Sequence, residues 1–262
     1  MRKIICLSIV ILFVIGLTGC GKNPVFTHVS GSPSTEKSAS MAAYIAKTAV
    51  IGTTSCANIS DGSAPSYSGA PGVVYKGTPT VDPQTGWITI EGEGVTLKFR
   101  YLKADGSPIR SSTFEAILGL ATQAKKMEFE VQSTYQDTDG YSYSATANAT
   151  LTFNTIGDLS MSNGGSISGT INGSINDPVL HHTYQYQVKL TNAVVGTSQV
   201  IASGTIDATL IILGETWAVH LTFNNDGSVD GTITGPGYTA TVHINADGTG
   251  TYTDSSGTHT IS

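Results

Sequence analysis

Histidines, carboxylates and cysteines are the groups in this chain able to bind a metal, move a proton or form a covalent bond, and their spacing limits each option. His181 and His182 are adjacent and would point to opposite faces of a strand. His220 and His243 fall out of phase with Val219, Leu221, Val242 and Ile244, so both are expected to face solvent. A third strand lies between theirs, a separation of about 10 Å that is too wide for shared zinc ligation. Asp137 and Asp139 precede Gly140, and Asn224-Asn225-Asp226-Gly227 and Asn245-Ala246-Asp247-Gly248 offer further oxygen ligands. These loops lack the acidic count and distal Glu of a calcium site, whereas Asx followed by Gly suits a type I turn with a bulge. Turns are expected, with Asp137 and Asp139 the nearest approach to a cation site. Gly-x-Ser-x-Gly, His-Glu-x-x-His, Cys-x-x-Cys, phosphate-loop and dinucleotide patterns do not occur. Glu91, Glu93 and Glu215 leave a carboxylate-based hydrolase as a distant alternative, because such pairs leave no local trace. The expectation is a protein without catalytic residues, cofactor or metal.

One cysteine has a context that gives it chemistry. Arg2 and Lys3 precede an apolar run from Ile4 to Leu17, the layout of a secretory signal peptide. The run is shorter than the roughly 18 to 20 residues needed to cross a bilayer as a helix. It closes on Leu17-Thr18-Gly19-Cys20, which resembles the lipobox of bacterial lipoproteins; the resemblance covers residues 1–21 only. It implies cleavage before Cys20 and acylation of that cysteine, hence attachment to a membrane through acyl chains. Gly21 stands where an Asp would mark inner-membrane retention in enteric-type bacteria, so the outer membrane is favoured in a cell with two. Cys6 would be discarded with the leader, leaving Cys56 alone, with no disulfide framework; a small buried residue is expected there.

With 13 basic and 19 acidic residues, the chain has a net charge of −6, which argues against nucleic acid as a partner. The organisation reads as a signal peptide over residues 1–19 and a lipidated cysteine with a Ser/Thr/Pro/Gly-rich flexible tether over 20–40. A short helix (41–51) and a Pro/Gly-rich loop fill 41–86, with one strand near 73–76. An antiparallel β domain spans 87–262. Leu-Thr-Phe-Asn recurs at 151 and 221, a hint of two related halves.

From Trp87 onward, apolar residues alternate with polar ones. Val95, Leu97, Phe99 and Tyr101 form one inward set and Met127, Phe129 and Val131 the next. Lys98 and Arg100 should meet Glu128 and Glu130 as exposed cross-strand ion pairs. Phe114, Ile117, Leu118 and Ala121 recur at helical spacing. A long strand carries Tyr141, Tyr143, Ala145, Ala147, Ala149, Leu151 and Phe153 inward, and the next carries Ile167, Gly169, Ile171, Gly173 and Ile175. Gly at alternate inward positions suits bending or close backbone approach. Residues 210–213 are apolar on both faces and predict a strand covered twice. Thr222, Thr232, Thr234, Thr239, Thr241, Thr251, Thr253, Thr258 and Thr260 should share the outward face of a terminal meander.

The fold expected is mainly β: an antiparallel meander of about eleven strands forming a strongly curved sheet or barrel with one or two short helices, a β-sandwich being the alternative. The function expected is a membrane-anchored envelope lipoprotein with a non-catalytic binding or structural role, with an envelope component as a possible partner. The alternative is a carrier of a lipid or other apolar ligand inside the sheet, lined by Trp87, Tyr141, Tyr143 and Trp217.

Overall fold

The computed structural model describes residues 38–39, 42–43, 79–92, 94–136, 140, 142–159, 161–178, 182–197, 201–212 and 214–261. Thirteen strands form one antiparallel sheet whose spatial order is their order in the chain. They are β1 (Thr80–Val81), β2 (Ile88–Gly92), β3 (Val95–Leu102), β4 (Lys126–Gln136), β5 (Ser142–Phe153), β6 (Gly165–Asp177) and β7 (His182–Val195), followed by β8 (Ile201–Ile212), β9 (Glu215–Phe223), β10 (Val229–Gly235), β11 (Tyr238–Ile244), β12 (Gly250–Asp254) and β13 (Gly257–Thr260). The pair β1 and β2 enlarges the expected meander at its start.

β1 and β13 end the order and do not pair, so the sheet is open and not a closed barrel. Its period-two pattern nevertheless keeps one face buried almost throughout. Ile88, Leu97, Phe129, Ile171, Val188, Ile206, Trp217, Ile233 and Ile244 are each nearly or wholly inaccessible and join one core cluster. An open sheet can bury one face across its full width only by curling that face onto itself and onto whatever it encloses. The helical residues Ala39, Ala42 and Ala43 lie inside this cluster with no exposed surface. Alanine leaves room for close packing.

The mid-chain helix α1 (Phe114–Leu120) continues as a 3-10 turn, Ala121–Gln123. Thr113 caps it, accepting a hydrogen bond from the Ala116 N–H at 3.3 Å. Only Ile117 on α1 and Ala121 on the turn are buried, while Glu115, Ala116, Gly119 and Leu120 are exposed. The helix bridges β3 and β4 and is too short to be the element around which the sheet curls.

The inward glycines mark aromatic packing. At Gly173 an added Cβ would overlap the Tyr186 ring, and at Gly235 it would lie 2.6 Å from the Trp217 ring. Each ring lies over a glycine on the neighbouring strand, a known way of covering strand glycines. Gly169 is equally tight against Asn148 and Ala149. The register shifts where the end of β7 meets β6 and β8: Asn192 adopts φ 47° and its N–H donates to Ser168 Oγ at 3.0 Å. Gly204 accommodates the shift, for a Cβ there would lie 2.6 Å from Ala193 Cα.

The apolar stretch at the end of β8 is not covered on both sides. Leu210 and Ile212 are buried, but Ile211 is 38% exposed on the outer face. The sheet is a single layer there, so a two-sided apolar run simply leaves one residue in solvent.

Candidate binding trough on the outer face

The pleat that sends apolar residues inward sends a matching set outward, and the register aligns that set in rows. One row runs Thr96, Gln132, Thr146, Asn172, Gln187 and Thr209 from β3 to β8; the next runs Thr134, Ser144, Ser174 and Gln185, ending at Ile211. On the other side of the first row lie Lys98, Glu130, Asn148, Thr170, Lys189, Asp207 and His220.

Side-chain length shapes this surface. The central strands β5 and β6 present Ser144, Thr146, Asn148, Thr150, Ser168, Thr170, Asn172 and Ser174, all short. The flanking strands present longer groups: Glu128, Glu130 and Gln132 on β4, and Gln185, Gln187 and Lys189 on β7. The result is a trough with a low polar floor and raised walls. It comprises a groove of about 730 Å³ over Gln132, Thr146, Asn172 and Gln187. A second groove of about 530 Å³ lies over Arg100, Glu128, Asn148, Thr170 and Lys189. Because these positions follow one another along the same strands, the two grooves are successive parts of one outer surface.

Side-chain bonds cross the floor and walls. Ser144 Oγ and Ser174 Oγ are 2.9 Å apart, and Gln187 Nε2 donates to Asn172 Oδ1 at 2.7 Å. At the charged end, Arg100 Nε donates to Glu128 Oε2 at 2.7 Å while its guanidinium carbon lies 4.6 Å from the centre of the Trp87 ring. Glu130 stands opposite Lys98 in register, as the alternating pattern required. The first groove has no acidic or basic side chain in its lining, whereas Arg100, Lys189, Glu128 and Glu130 all line the second.

Trp87 therefore lies on the outer face and lines the second groove, not the interior. Its neighbour Ile88 takes the inward position, which fixes the phase. Trp217 is inside and fully buried. Tyr141 lies outside the described residues, as do Cys20, Cys56, Glu93, Asp137, Asp139, His181 and residues 73–76; so do the side chains of Tyr143 and His182. Glu91 is on β2 and Glu215 on β9, seven strands apart in the sheet order.

The Asp-Gly segments are turns. In Asp105-Gly106-Ser107, Asp226-Gly227-Ser228 and Asp247-Gly248-Thr249 the Asp Oδ1 accepts the backbone N–H two residues on, at 2.9 Å each time. All three glycines have φ 82°. These hydrogen bonds, from hydroxyl and backbone alike, hold the carboxyls of Asp105, Asp226 and Asp247 below the usual carboxylate range. Oδ1 of each is committed to the turn. Among the described residues no cluster of three or more His, Cys, Asp or Glu could hold a metal ion.

His220 and His243 both face outward, and the register supplies each with an aspartate. His220 Nδ1 lies 2.6 Å from Asp207 Oδ1 and His243 Nδ1 lies 2.7 Å from Asp230 Oδ1. The pairing partners were not apparent from sequence because they depend on the register of β8 against β9 and of β10 against β11. His243 Nε2 also lies 3.1 Å from Asn245 Oδ1, so both ring nitrogens face acceptors and the doubly protonated ring is the form best satisfied. The hydrogen bond His243 donates to Asp230, then that to Asn245, raise its pKa above the ordinary 6.5. Asp230 is correspondingly lowered by its bonds to His243 and Asn224. The stabilisation from His243 is therefore fully present below the unfolded value and is lost as pH rises through the raised one. That from Asp230 is lost as pH falls through its lowered one. An NMR titration should give a His243 midpoint above 6.5 that drops in Asp230→Asn; an unchanged midpoint would contradict the pairing.

No family model, curated protein or solved structure matches this chain. Its functional reading rests on its own residues.

Proposed function

We propose that this protein is a lipid-anchored component of the cell envelope with a non-catalytic binding role, held to the membrane by acyl chains on Cys20 and acting through the outer face of its sheet. The observation that carries the reading is the trough over β4 to β7, where a hydrogen-bonded floor of short polar side chains lies between longer ones. The Leu17-Thr18-Gly19-Cys20 segment supports the anchor, and Gly21 favours the outer membrane where there are two.

The carrier alternative has less support. Tyr186 covers Gly173, Trp217 covers Gly235, and Trp87 faces the opposite way. A hydrolase using Glu91 and Glu215 would have to unite carboxylates from opposite halves of the strand order.

Cosedimentation tests the binding role. Full-length protein should pellet with envelope fragments that have been extracted of lipid, which removes anchor insertion as a cause. A double change of Gln132 and Thr146 to Lys should weaken this by about tenfold or more through steric filling and unpaired charge. Thr241→Lys, on the terminal meander, should leave it intact. Failure of wild-type protein to pellet, or equal pelleting of all three, would remove the binding role.

A further inference from the structure

We propose that the uncharged part of the trough binds a neutral polysaccharide chain, seated over β5 and β6 between the walls formed by β4 and β7. This rests on the binding role proposed above and assigns the ligand class.

Charge makes the first selection. The groove over Gln132, Thr146, Asn172 and Gln187 is lined mainly by amides and hydroxyls, with Ala145, Tyr186 and Ile211 as its apolar groups, and by no acidic or basic side chain. A charged ligand settling there would lose water without gaining a counter-charge, which is costly. A neutral hydroxylated ligand exchanges its water hydrogen bonds for equivalent ones.

Donor and acceptor chemistry makes the second. Each Asn or Gln amide offers a donor and an acceptor side by side, and each hydroxyl offers both, which matches the paired hydroxyls of a sugar ring. The Gln187–Asn172 bond at 2.7 Å orients two of these amides while leaving each with further donor and acceptor capacity. Such prior ordering reduces the entropy lost on binding.

Shape makes the third. The groove's volume of about 730 Å³ is within the roughly 300–1,000 Å³ typical of ligand sites. β4 and β7 are three strand spacings apart, about 14 Å, and the trough continues along the strands into the second groove. An open trough accommodates the middle of a chain as well as its end.

Affinity gel electrophoresis provides the test, using the full-length protein in a polyoxyethylene detergent so that no sugar-based detergent competes. The probes are hydroxyethylcellulose, laminarin, mannan and dextran, with polygalacturonate as the anionic comparison. At least one neutral polymer should retard the protein, equally between about pH 5 and pH 9 because no carboxylate, imidazole or amine lines the first groove. Salt at about 0.5 M should change little. Asn172→Ala and Gln187→Ala should each weaken retardation by roughly five- to tenfold, and Thr241→Lys should not alter it. Both alanine positions are exposed, so thermal unfolding should be unchanged and loss of binding will not reflect loss of fold. No retardation by any neutral polymer, retardation that ignores the trough variants, or salt-sensitive retardation by polygalacturonate alone would overturn the assignment. If the neutral polymers fail while the Gln132/Thr146 double variant still abolishes envelope binding, the ligand class is wrong and the binding role stands. If both fail, neither stands.

Discussion

Trp217→Ala should destabilise the domain by about 3–5 kcal/mol, enough to lower the melting temperature by roughly 10 °C. Trp217 has no exposed surface, is the third residue of β9 and packs against Tyr238 with ring centres 5.4 Å apart. Its six-membered ring covers Gly235, which has no side chain to fill the space the indole would vacate. A cavity would remain, and the cost of a cavity adds to the lost burial. The indole Nε1 is itself buried without a hydrogen-bond partner. Trp217→Phe therefore removes an unsatisfied donor while retaining most of the apolar surface, and should cost much less than Trp217→Ala. The reciprocal change, Gly235→Ala, should destabilise by about 1–3 kcal/mol, since its Cβ would meet a ring with no room to retreat. Urea unfolding checks all three; an alanine variant within about 1 kcal/mol of wild type would refute the packing role assigned to Trp217.

Cys20→Ala should abolish acylation entirely. On the lipoprotein reading, wild-type protein incorporates labelled palmitate, and its leader through Gly19 is removed. The variant should incorporate none and keep its leader, because the thiol that receives the lipid is gone. A chain starting at Gly21 behind a leader cleaved without lipidation should then leave the membrane fraction. Two or three acyl chains contribute about 0.8 kcal/mol per buried methylene, so this is a change from near-permanent to negligible attachment. Palmitate label that persists in Cys20→Ala, or is missing from wild type, would overturn the anchor.

Much of the sheet was legible in the sequence because strand periodicity is local. Val95, Leu97 and Phe99 alternate with Thr96, Lys98 and Arg100, and the register reproduces the Arg100–Glu128 ion pair that this alternation implied. The outward threonines were equally accessible, with Thr232 opposite Thr241 and Thr253 opposite Thr258. The Asp-Gly turns followed from backbone chemistry alone. Trp87 was misplaced because it precedes β2, where the alternation has only begun and phase is weakly specified. Ile211 was misjudged because composition does not report whether a second layer covers a strand.

The trough was not legible. It depends on short side chains of β5 and β6 lying side by side with longer ones on β4 and β7, and only the pairing register creates that contrast. The same holds for Asp207 with His220 and for Asp230 with His243, partners thirteen residues apart in each case. The sequence by itself determined that this chain forms a meander with one apolar face, because alternation and turns each act over a few residues. The tertiary structure decided that the sheet stays open, that Trp87 faces outward and that the neutral side chains gather in one trough. Those outcomes depend on register and curvature, which arise only when all the strands pack together.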